Sequence, residues 1–380
     1  MKDQTNIVYL FHIYQPPWQT KEVLEENYNK FYLPLLEVLE SRPNYKVTLN
    51  ISASLTEQLA REGKQEFFDR VRVLVKKGQI ELTGSAAYHP ILPLIPEKEA
   101  IRQINLNDEI NSKYFKEEWT LAKTRGFFLP ELAYSTKVSK IIKGLGFDWL
   151  SVDQTTVAEQ VNWSKQYSDK SSGIKLLINN RVFYTPDVKK FSQNKYNVII
   201  SDGENQINKD KQDIDWSLYL SQSDPGLESR YLTVSEYLKE VENEQDIIPT
   251  ENSNWQIKEE EKKVGSYYHL WKNDNEPIHK LLWEFLFDVM KVVEQNNSDD
   301  NFNFARTELD KGLASCTWWW VDGRIYGYNP TAVVKGLDII VNAMRTLKDI
   351  NLETRIRIER SYSEIVFEVW KRHWTNFNKN

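Results

Sequence analysis

The sequence reads as an α/β protein with parallel strands, followed by a helical C-terminal region. Two patterns carry that reading. Short apolar runs rich in β-branched residues recur along the first two thirds of the chain, each followed by a stretch with helical periodicity. From about residue 266 the strand-like runs stop and long helical stretches take over. A connection that contains a helix returns the chain to the same end of the sheet, so alternation forces parallel pairing; the two solutions are a closed barrel and an open doubly wound sheet.

The strands are placed, in order, at Asn6 to Phe11, Lys46 to Ile51, Gln79 to Thr83, Gly126 to Leu129, Asp148 to Val152, Asn197 to Ser201 and Asp246 to Pro249. Between the fourth and fifth, Val138, Ile141, Ile142 and Leu145 follow i, i+3, i+4, i+7 spacing, and Gly144 and Gly146 supply the stop. The segment 206–263 carries the charge runs NKDKQDID and KEEEKK and reads as surface loops. Beyond it, Lys280 to Val293, Thr331 to Leu347 and Glu359 to Trp374 read as helices of a bundle. The expected organisation is therefore a strand-and-helix domain over 1–265 and a helical domain over 266–380.

Composition bounds the partners. With 49 basic and 55 acidic residues the net charge is −6, and no basic face gathers to neutralise phosphates, which excludes nucleic acid. No run approaches the roughly 18 apolar residues of a spanning helix, and the start, MKDQTNIVYLFHIYQPP, is unlike a signal peptide. No membrane partner is expected, and the cytoplasm is the expected location. Cys316 is the sole cysteine, so neither an internal disulfide nor a thiolate zinc site can form. The surplus is aromatic, with 13 Trp, 19 Tyr and 16 Phe. Aromatic rings fill cores, and they also line clefts that take the apolar faces of sugars.

In a parallel α/β barrel the reactive side chains sit just after the strands, where the C-terminal ends share one mouth. Reading those positions gives His12 and Gln15 in FHIYQPP, His89 in TGSAAYHP, Glu131 in LPELAYS, and Asp202 and Glu204 in SDGENQ. Pro130 biases Leu129 to an extended conformation, which ends the strand and fixes the backbone that bears Glu131. The plainer readings are a surface glutamate at a helix start for Glu131 and an ordinary Asp-Gly turn for Asp202. Two carboxylates at such a mouth are what glycosidic cleavage uses, one ionised as nucleophile and one protonated as acid, in unlike environments.

Other chemistries find less support. The five histidines, His12, His89, His269, His279 and His373, form no His-x-x-x-His pair, and no metal or other cofactor is expected. There is no Gly-x-Ser-x-Gly elbow and no Gly-x-x-x-x-Gly-Lys phosphate loop.

Taken together and in order, these segments resemble glycoside hydrolase family 57. FHIYQPP is similar to its first motif, GQIELTGSAAYHPILPLIP to its second, GFFLPELAYS to its third, SDGENQ to its fourth and WKNDNEPIHKLLW to its fifth; ASCTWWWVDG resembles a further Trp-rich segment. The resemblance implies an incomplete (β/α)7 barrel with a C-terminal helical bundle that completes the substrate cleft. It implies retaining chemistry by double displacement on α-1,4-glucans such as starch or glycogen, of the α-amylase or 4-α-glucanotransferase type. Carried over by position, Glu131 would be the nucleophile and Asp202 the acid/base. His12, Gln15, His89, Phe128, Glu204, Trp271, Trp319 and Trp320 would bind substrate, Phe128 as an aromatic platform. Tyr14 stands where the first motif has its second histidine, and no Phe-Gly follows the fourth motif's glutamate.

Since Trp318, Trp319 and Trp320 are consecutive they cannot share one direction, so at least one packs the core while another can stack an acceptor sugar. Stacking there would favour transfer over hydrolysis. The alternatives are a catalytically silent glucan-binding relative and a metal-dependent carbohydrate deacetylase. A branching enzyme is disfavoured, because no long cleft-covering loop is apparent. Oligomeric state stays open, as the apolar face of Leu282, Phe285 and Val289 could pack within the bundle or against another subunit.

Overall fold

The computed structural model describes residues 5–119, 125–157, 160–180, 195–204, 229–324 and 327–377. The charged run at 208–215 lies outside the described residues. Cα packing separates two units, one of Met1–Gln15, Gln19–Ala87 and Leu92–Gln256 and one of Pro16–Trp18, Tyr88–Ile91 and Ile257–Asn380.

Among the described residues the first unit holds ten strands: β1 (Thr5–Ile13), β2 (Val47–Ile51), β3 (Ile80–Thr83), β4 (Gly126–Phe127), β5 (Trp149–Asp153), β6 (Gln166–Asp169), β7 (Lys175–Asn179), β8 (Tyr196–Asp202), β9 (Ser229–Leu232) and β10 (Gln245–Ile248). One sheet runs β3-β2-β1-β8 with β9 also on β1; the other runs β10-β6-β7-β5-β4. The sheets meet at a parallel bridge between Gly84 and Phe127, where Gly84 N–H donates to Gly126 O and Phe128 N–H to Gly84 O, both at 2.9 Å. At the other end Ile200 N–H on β8 donates to Asn179 Oδ1 at the end of β7, 3.1 Å, so a side chain meets that backbone group where a ladder bond would otherwise be made. The strands β8-β1-β2-β3-β4-β5-β7 thus follow one another as parallel neighbours, without a continuous ladder around the ring.

Strand β1 is buried along its whole length because both of its faces are covered. Its alternation sorts two cores. Val8 and Leu10 join Phe128, Leu132, Trp149, Leu177, Val198 and Ile200, side chains contributed from several strands to one interior. Ile7, Tyr9, Phe11 and Ile13 pack instead against the helices of 21–76. By the same period of two, His12 on β1 and Asp202 on β8 continue the inward positions at the C-terminal ends of their strands.

Three strands escape the sequence reading, and one breaks its parallel rule. β6 and β7 form an antiparallel pair across Asp169–Gly173, with β10 parallel to β6. Asp169 organises that turn: its carboxylate accepts from Ser139, Ser171, Ser172 and Thr250, and these bonds hold it at about 2, below the usual carboxylate range, against the opposing effect of burial. The run KEEEKK is not a loop but the short helix Glu259–Lys263, acidic in its first turn and basic in its last, with Lys258 N–H capped by Glu261 at 3.0 Å.

The second unit contains helices Pro277–Gln295, Phe302–Gly312, Cys316–Asp322, Pro330–Thr346 and Leu352–Phe377. Two begin at prolines, where the missing N–H is harmless, and Asn329 caps the Ala332 N–H at 3.1 Å. Trp318 is 1% exposed and stacks on Trp283, centroids 4.3 Å apart, whereas Trp319 and Trp320 stay half-buried in a perpendicular pair at 4.7 Å. Among the described residues no helix is long and apolar enough to cross a membrane.

Glycine allows a close helix approach in this unit. A Cβ on Gly336 would lie 2.0 Å from Thr317 Oγ1 and 2.8 Å from Thr317 Cβ, a stiff and fully buried side chain. Gly336→Ala gains about 1 kcal/mol of helix propensity and loses about 1–3 kcal/mol to overpacking. Net destabilisation is the expected outcome of urea unfolding; a more stable variant would show that the two helices can separate without loss.

Candidate active site

His12, one residue before the end of β1, lies between two register partners, Asn50 on β2 and Asp202 on β8. Its imidazole is buried, and the ring stacks on Phe128 with centroids 4.3 Å apart and planes 12° apart. A directed hydrogen-bond chain sets its tautomer. Thr83 Oγ1–H donates to Gly84 O at 3.1 Å, Asn50 Nδ2 donates to Thr83 Oγ1 at 3.2 Å, and Asn50 Oδ1, 2.7 Å from His12 Nδ1, must therefore accept. Burial lowers the His12 pKa against the opposing pull of Asp202 and Asn50, so the neutral ring carries its proton on Nδ1 and presents Nε2 as an acceptor.

Glu131 sits on a left-handed turn, φ 57° and ψ 18°, and Leu132 follows at φ 47°. Each such residue costs of order 1–3 kcal/mol and persists only where its surroundings over-determine it. Here they do. Leu129 is extended before Pro130, its N–H donates to Ser151 Oγ at 3.1 Å, and Ser85 Oγ donates to Phe128 O at 2.9 Å. From the other side Trp255 grips Glu131 twice, its backbone N–H on Glu131 O at 3.2 Å and its indole Nε1–H on Glu131 Oε2 at 2.8 Å. The next helix starts only at Thr136, capped by Ser135, so the reading of Glu131 as a surface residue at a helix start does not hold. Burial pushes its carboxyl up to about 8, with the Asp202 charge adding to the rise and the Trp255 hydrogen bond opposing it.

Asp202 closes β8, and Gly203 N–H continues the ladder to His12 O at 2.7 Å. A Cβ on Gly203 would fall 2.6 Å from the Phe31 ring and 2.8 Å from Ile13 Cγ2, so glycine here serves a close approach as well as a turn. Next to it, Glu204 Oε1 accepts from Tyr32 Oη at 2.6 Å and from the Tyr14 N–H at 3.0 Å, and Gln15 Nε2 lies 3.4 Å away. Tyr32 arrives at the end of a π-helical turn, Tyr28–Tyr32.

Of the residues singled out in the sequence, His12, Gln15, Phe128, Glu131, Asp202 and Glu204 lie in the first unit; His89, Trp271, Trp319 and Trp320 lie in the second. Phe128 is fully buried beneath the imidazole and edge-on to Trp255, so its ring supports His12. His89 is left-handed at φ 59° and tied to Ser315, with Nδ1 3.1 Å from its Oγ and the Ser315 N–H on His89 O at 3.3 Å, directly ahead of the tryptophan run. Trp271 is 0% exposed, and its carbonyl accepts from Trp283 Nε1 at 2.9 Å, a packing position. Asn50, Tyr32 and Thr83 were missed. Asn50 was within reach as a polar residue at a strand end, whereas no sequence signal marks Tyr32. Among the described residues no cluster of three or more His, Cys, Asp or Glu has the geometry to hold a metal ion.

A family model described as glycosyl hydrolase family 57 matches residues 8–198. An α-amylase of Pyrococcus furiosus is 35% identical over 156 residues, which cover 40% of this chain and 22% of that protein. The matched part therefore spans less than a quarter of that relative. The 4-α-glucanotransferase of Thermococcus litoralis superposes with a TM-score of 0.73 at 21% identity, over 92% of this chain and 61% of that one. The GH57-type branching enzyme of Pyrococcus horikoshii superposes with a TM-score of 0.67 at 16% identity, over 96% and 95% of the two chains. These two likenesses are of fold.

The raised Glu131 carboxyl has a sign that unfolding can read. With a folded value of about 8 against an ordinary 4.5, the folded protein binds more protons than the unfolded chain between those values, and stability falls as pH rises through them. Glu131→Gln removes this dependence. Urea unfolding at a series of pH values is expected to show the variant gaining on the wild type steadily from about pH 4.5 to about pH 8; parallel curves would mean that Glu131 is ionised throughout.

Proposed function

The chain belongs to glycosyl hydrolase family 57, and on that premise we propose that it cleaves or transfers α-1,4-linked glucans by double displacement, with Glu131 as nucleophile and Asp202 as general acid/base. One observation carries the reading. Glu131 is fixed on a strained turn by Trp255 and lies within the electrostatic reach of Asp202, whose backbone is in register with His12.

In the first step Glu131 attacks the anomeric carbon, the glycosidic C–O bond breaks, and Asp202 gives its proton to the leaving oxygen. Asp202, now a base, takes a proton from water or from the hydroxyl of a second sugar, which displaces Glu131 and restores both groups. Water gives hydrolysis, and a sugar gives transfer. His12 accepts a hydrogen bond from a sugar hydroxyl at Nε2, because its Nδ1–H is committed to Asn50. Trp255 holds one oxygen of Glu131 and favours its anion, the attacking form.

The product profile from maltoheptaose separates the reactions. Longer and shorter oligosaccharides without new reducing ends mark a 4-α-glucanotransferase, shorter products with rising reducing ends an amylase, and new α-1,6 linkages a branching enzyme. Glu131→Gln is expected to lower turnover by about 10⁴-fold or more. Bound oligosaccharide with no product from the wild type would identify a silent binding relative.

The pH profile provides a second check. Attack needs ionised Glu131, so kcat/KM is expected to rise with pH towards about 8. Trp255→Phe removes the hydrogen bond that favours the anion, and its acid limb should move to higher pH. An unmoved limb would place that limb on another group.

A further inference from the structure

The turn that bears Glu131 is strained, and one segment of chain, 250–255, is fastened along it at three points. At the near end Trp255 holds Glu131 by its backbone N–H and its indole Nε1–H. Next, Ser253 and Tyr134 form an antiparallel bridge, with Tyr134 N–H on Ser253 O at 2.9 Å and Ser253 N–H on Tyr134 O at 3.3 Å. At the far end Tyr134 Oη lies 2.6 Å from Thr250 Oγ1. The direction of this outer contact is set from beyond it. Thr250 Oγ1–H donates to Asp169 Oδ1 at 3.0 Å, so the same oxygen accepts the Tyr134 phenol proton. Asp169 is a fixed acceptor: Oδ1 also takes the Ser171 N–H at 3.0 Å, and Oδ2 takes the hydroxyls of Ser139, Ser171 and Ser172 at 2.7, 2.7 and 2.6 Å. Asp169 ends β6, where its register partner is Ile248 of β10, so the segment leaves the sheet beside its anchor.

We propose that Asp169, Thr250 and Tyr134 are positioning residues for Glu131: they anchor the 250–255 segment to the sheet in register with the strained turn, so that Trp255 holds the carboxylate in its attacking orientation. The inference rests on the assignment of Glu131 as nucleophile. The need for an anchor follows from the backbone. Glu131 and Leu132 are both at positive φ and persist there only where their surroundings over-determine them. Trp255 bonds to Glu131 with its main chain and its side chain, so on its own it would follow the turn as the turn relaxed. Tyr134 and Thr250 refer both to a third element, the Asp169 turn, which is held by its own donors and by the Gly173 N–H on Asp169 O at 2.7 Å. Ser253 is fastened from its other side as well, where its hydroxyl meets that of Thr156 and the Glu251 N–H donates to Thr156 O at 2.9 Å. Asp169, Tyr134 and Ser253 are all fully buried, so water does not compete for these bonds. A carboxylate displaced by about 1 Å from its line of attack costs on the order of 100-fold in rate, which is the scale on which such an anchor acts.

Thr250→Val tests the assignment, because it removes both hydrogen bonds of the link with little change in size. It is expected to lower kcat on maltoheptaose by about 10–100-fold while KM changes by less than about 2-fold. Thr250→Ser keeps the hydroxyl and is expected to restore most of kcat. The acid limb of kcat/KM should move to higher pH in Thr250→Val, since the donor that favours the Glu131 anion is less well placed, and Thr250→Val added to Trp255→Phe should move it no further. A loss of stability alone would leave that limb in place. Tyr134→Phe breaks the same link from the other side and takes over the test where Thr250→Val does not fold. The Trp255 indole N–H resonance in 15N-labelled protein, identified by its absence from Trp255→Phe, reads the geometry without turnover: it is expected to shift in Thr250→Val and to return in Thr250→Ser. A resonance unmoved by Thr250→Val overturns the proposal, as does an acid limb that stays in place while that of Trp255→Phe moves. A shifted resonance in a protein whose wild type turns over no glucan would support the anchor and overturn the glucan-cleaving reading.

Discussion

The pairing of β1 with β8 is the constraint on which the site depends. Seven register pairs run from Asn6 with Tyr196 to His12 with Asp202, and Gly203 N–H carries the ladder one step further. Because both strands are parallel and in step, their inward side chains arrive at one level, hydrophobic for most of the length and then polar at the end. Val8, Leu10, Val198 and Ile200 fill the interior; His12 and Asp202 finish it. A slip of one residue would turn both groups to the opposite face. Burial of the alternate set, Ile7, Tyr9, Phe11 and Ile13, against helices forbids that slip, so the packing of the outer core secures the chemistry of the inner one.

The fold was legible wherever period and punctuation agreed. The β1, β2, β3, β5 and β8 runs are apolar and bounded, and the prolines and glycines around the long helices mark their ends. What escaped depends on tertiary partners. β7 reads KLLIN, too short to separate from a buried loop until β5 pairs with it, and β6 is a polar QYSD strand stabilised by the Asp169 turn. KEEEKK looked like a solvated run because local charge gives the same signal for a loop and for an exposed helical turn.

Site residues divide in the same way. His12, Glu131, Asp202 and Glu204 could be picked out because each lies at or just beyond the C-terminal end of a strand-like run. Tyr32 and Trp255 could not, since each reaches its carboxylate across a sequence separation of more than 100 residues. Glycine at 203 looked like turn chemistry, and its further reason, the Phe31 ring 2.6 Å from where a Cβ would stand, exists only once the helices have packed. Sequence thus located candidate site residues and was silent on the groups that shift their protonation.

That protonation is where fold and function join. Three carboxyl groups stand close together, and the imidazole that faces them is neutral because burial outweighs the attraction of Asp202. Burial and the neighbouring charge both disfavour the ionised forms of Glu131 and Glu204. The same field favours any positive charge that appears inside it. In the proposed reaction a sugar ring approaching an oxocarbenium ion would supply that charge at the moment of bond breaking and not before. Trp255 on Glu131 and Tyr32 on Glu204 are donors already in place for the ionised carboxylates. In the reaction proposed above, an arrangement that is unfavourable for bare carboxylates and fixed in advance by a strained turn and a strand ladder would favour the transition state over the ground state, and that difference is what catalysis requires.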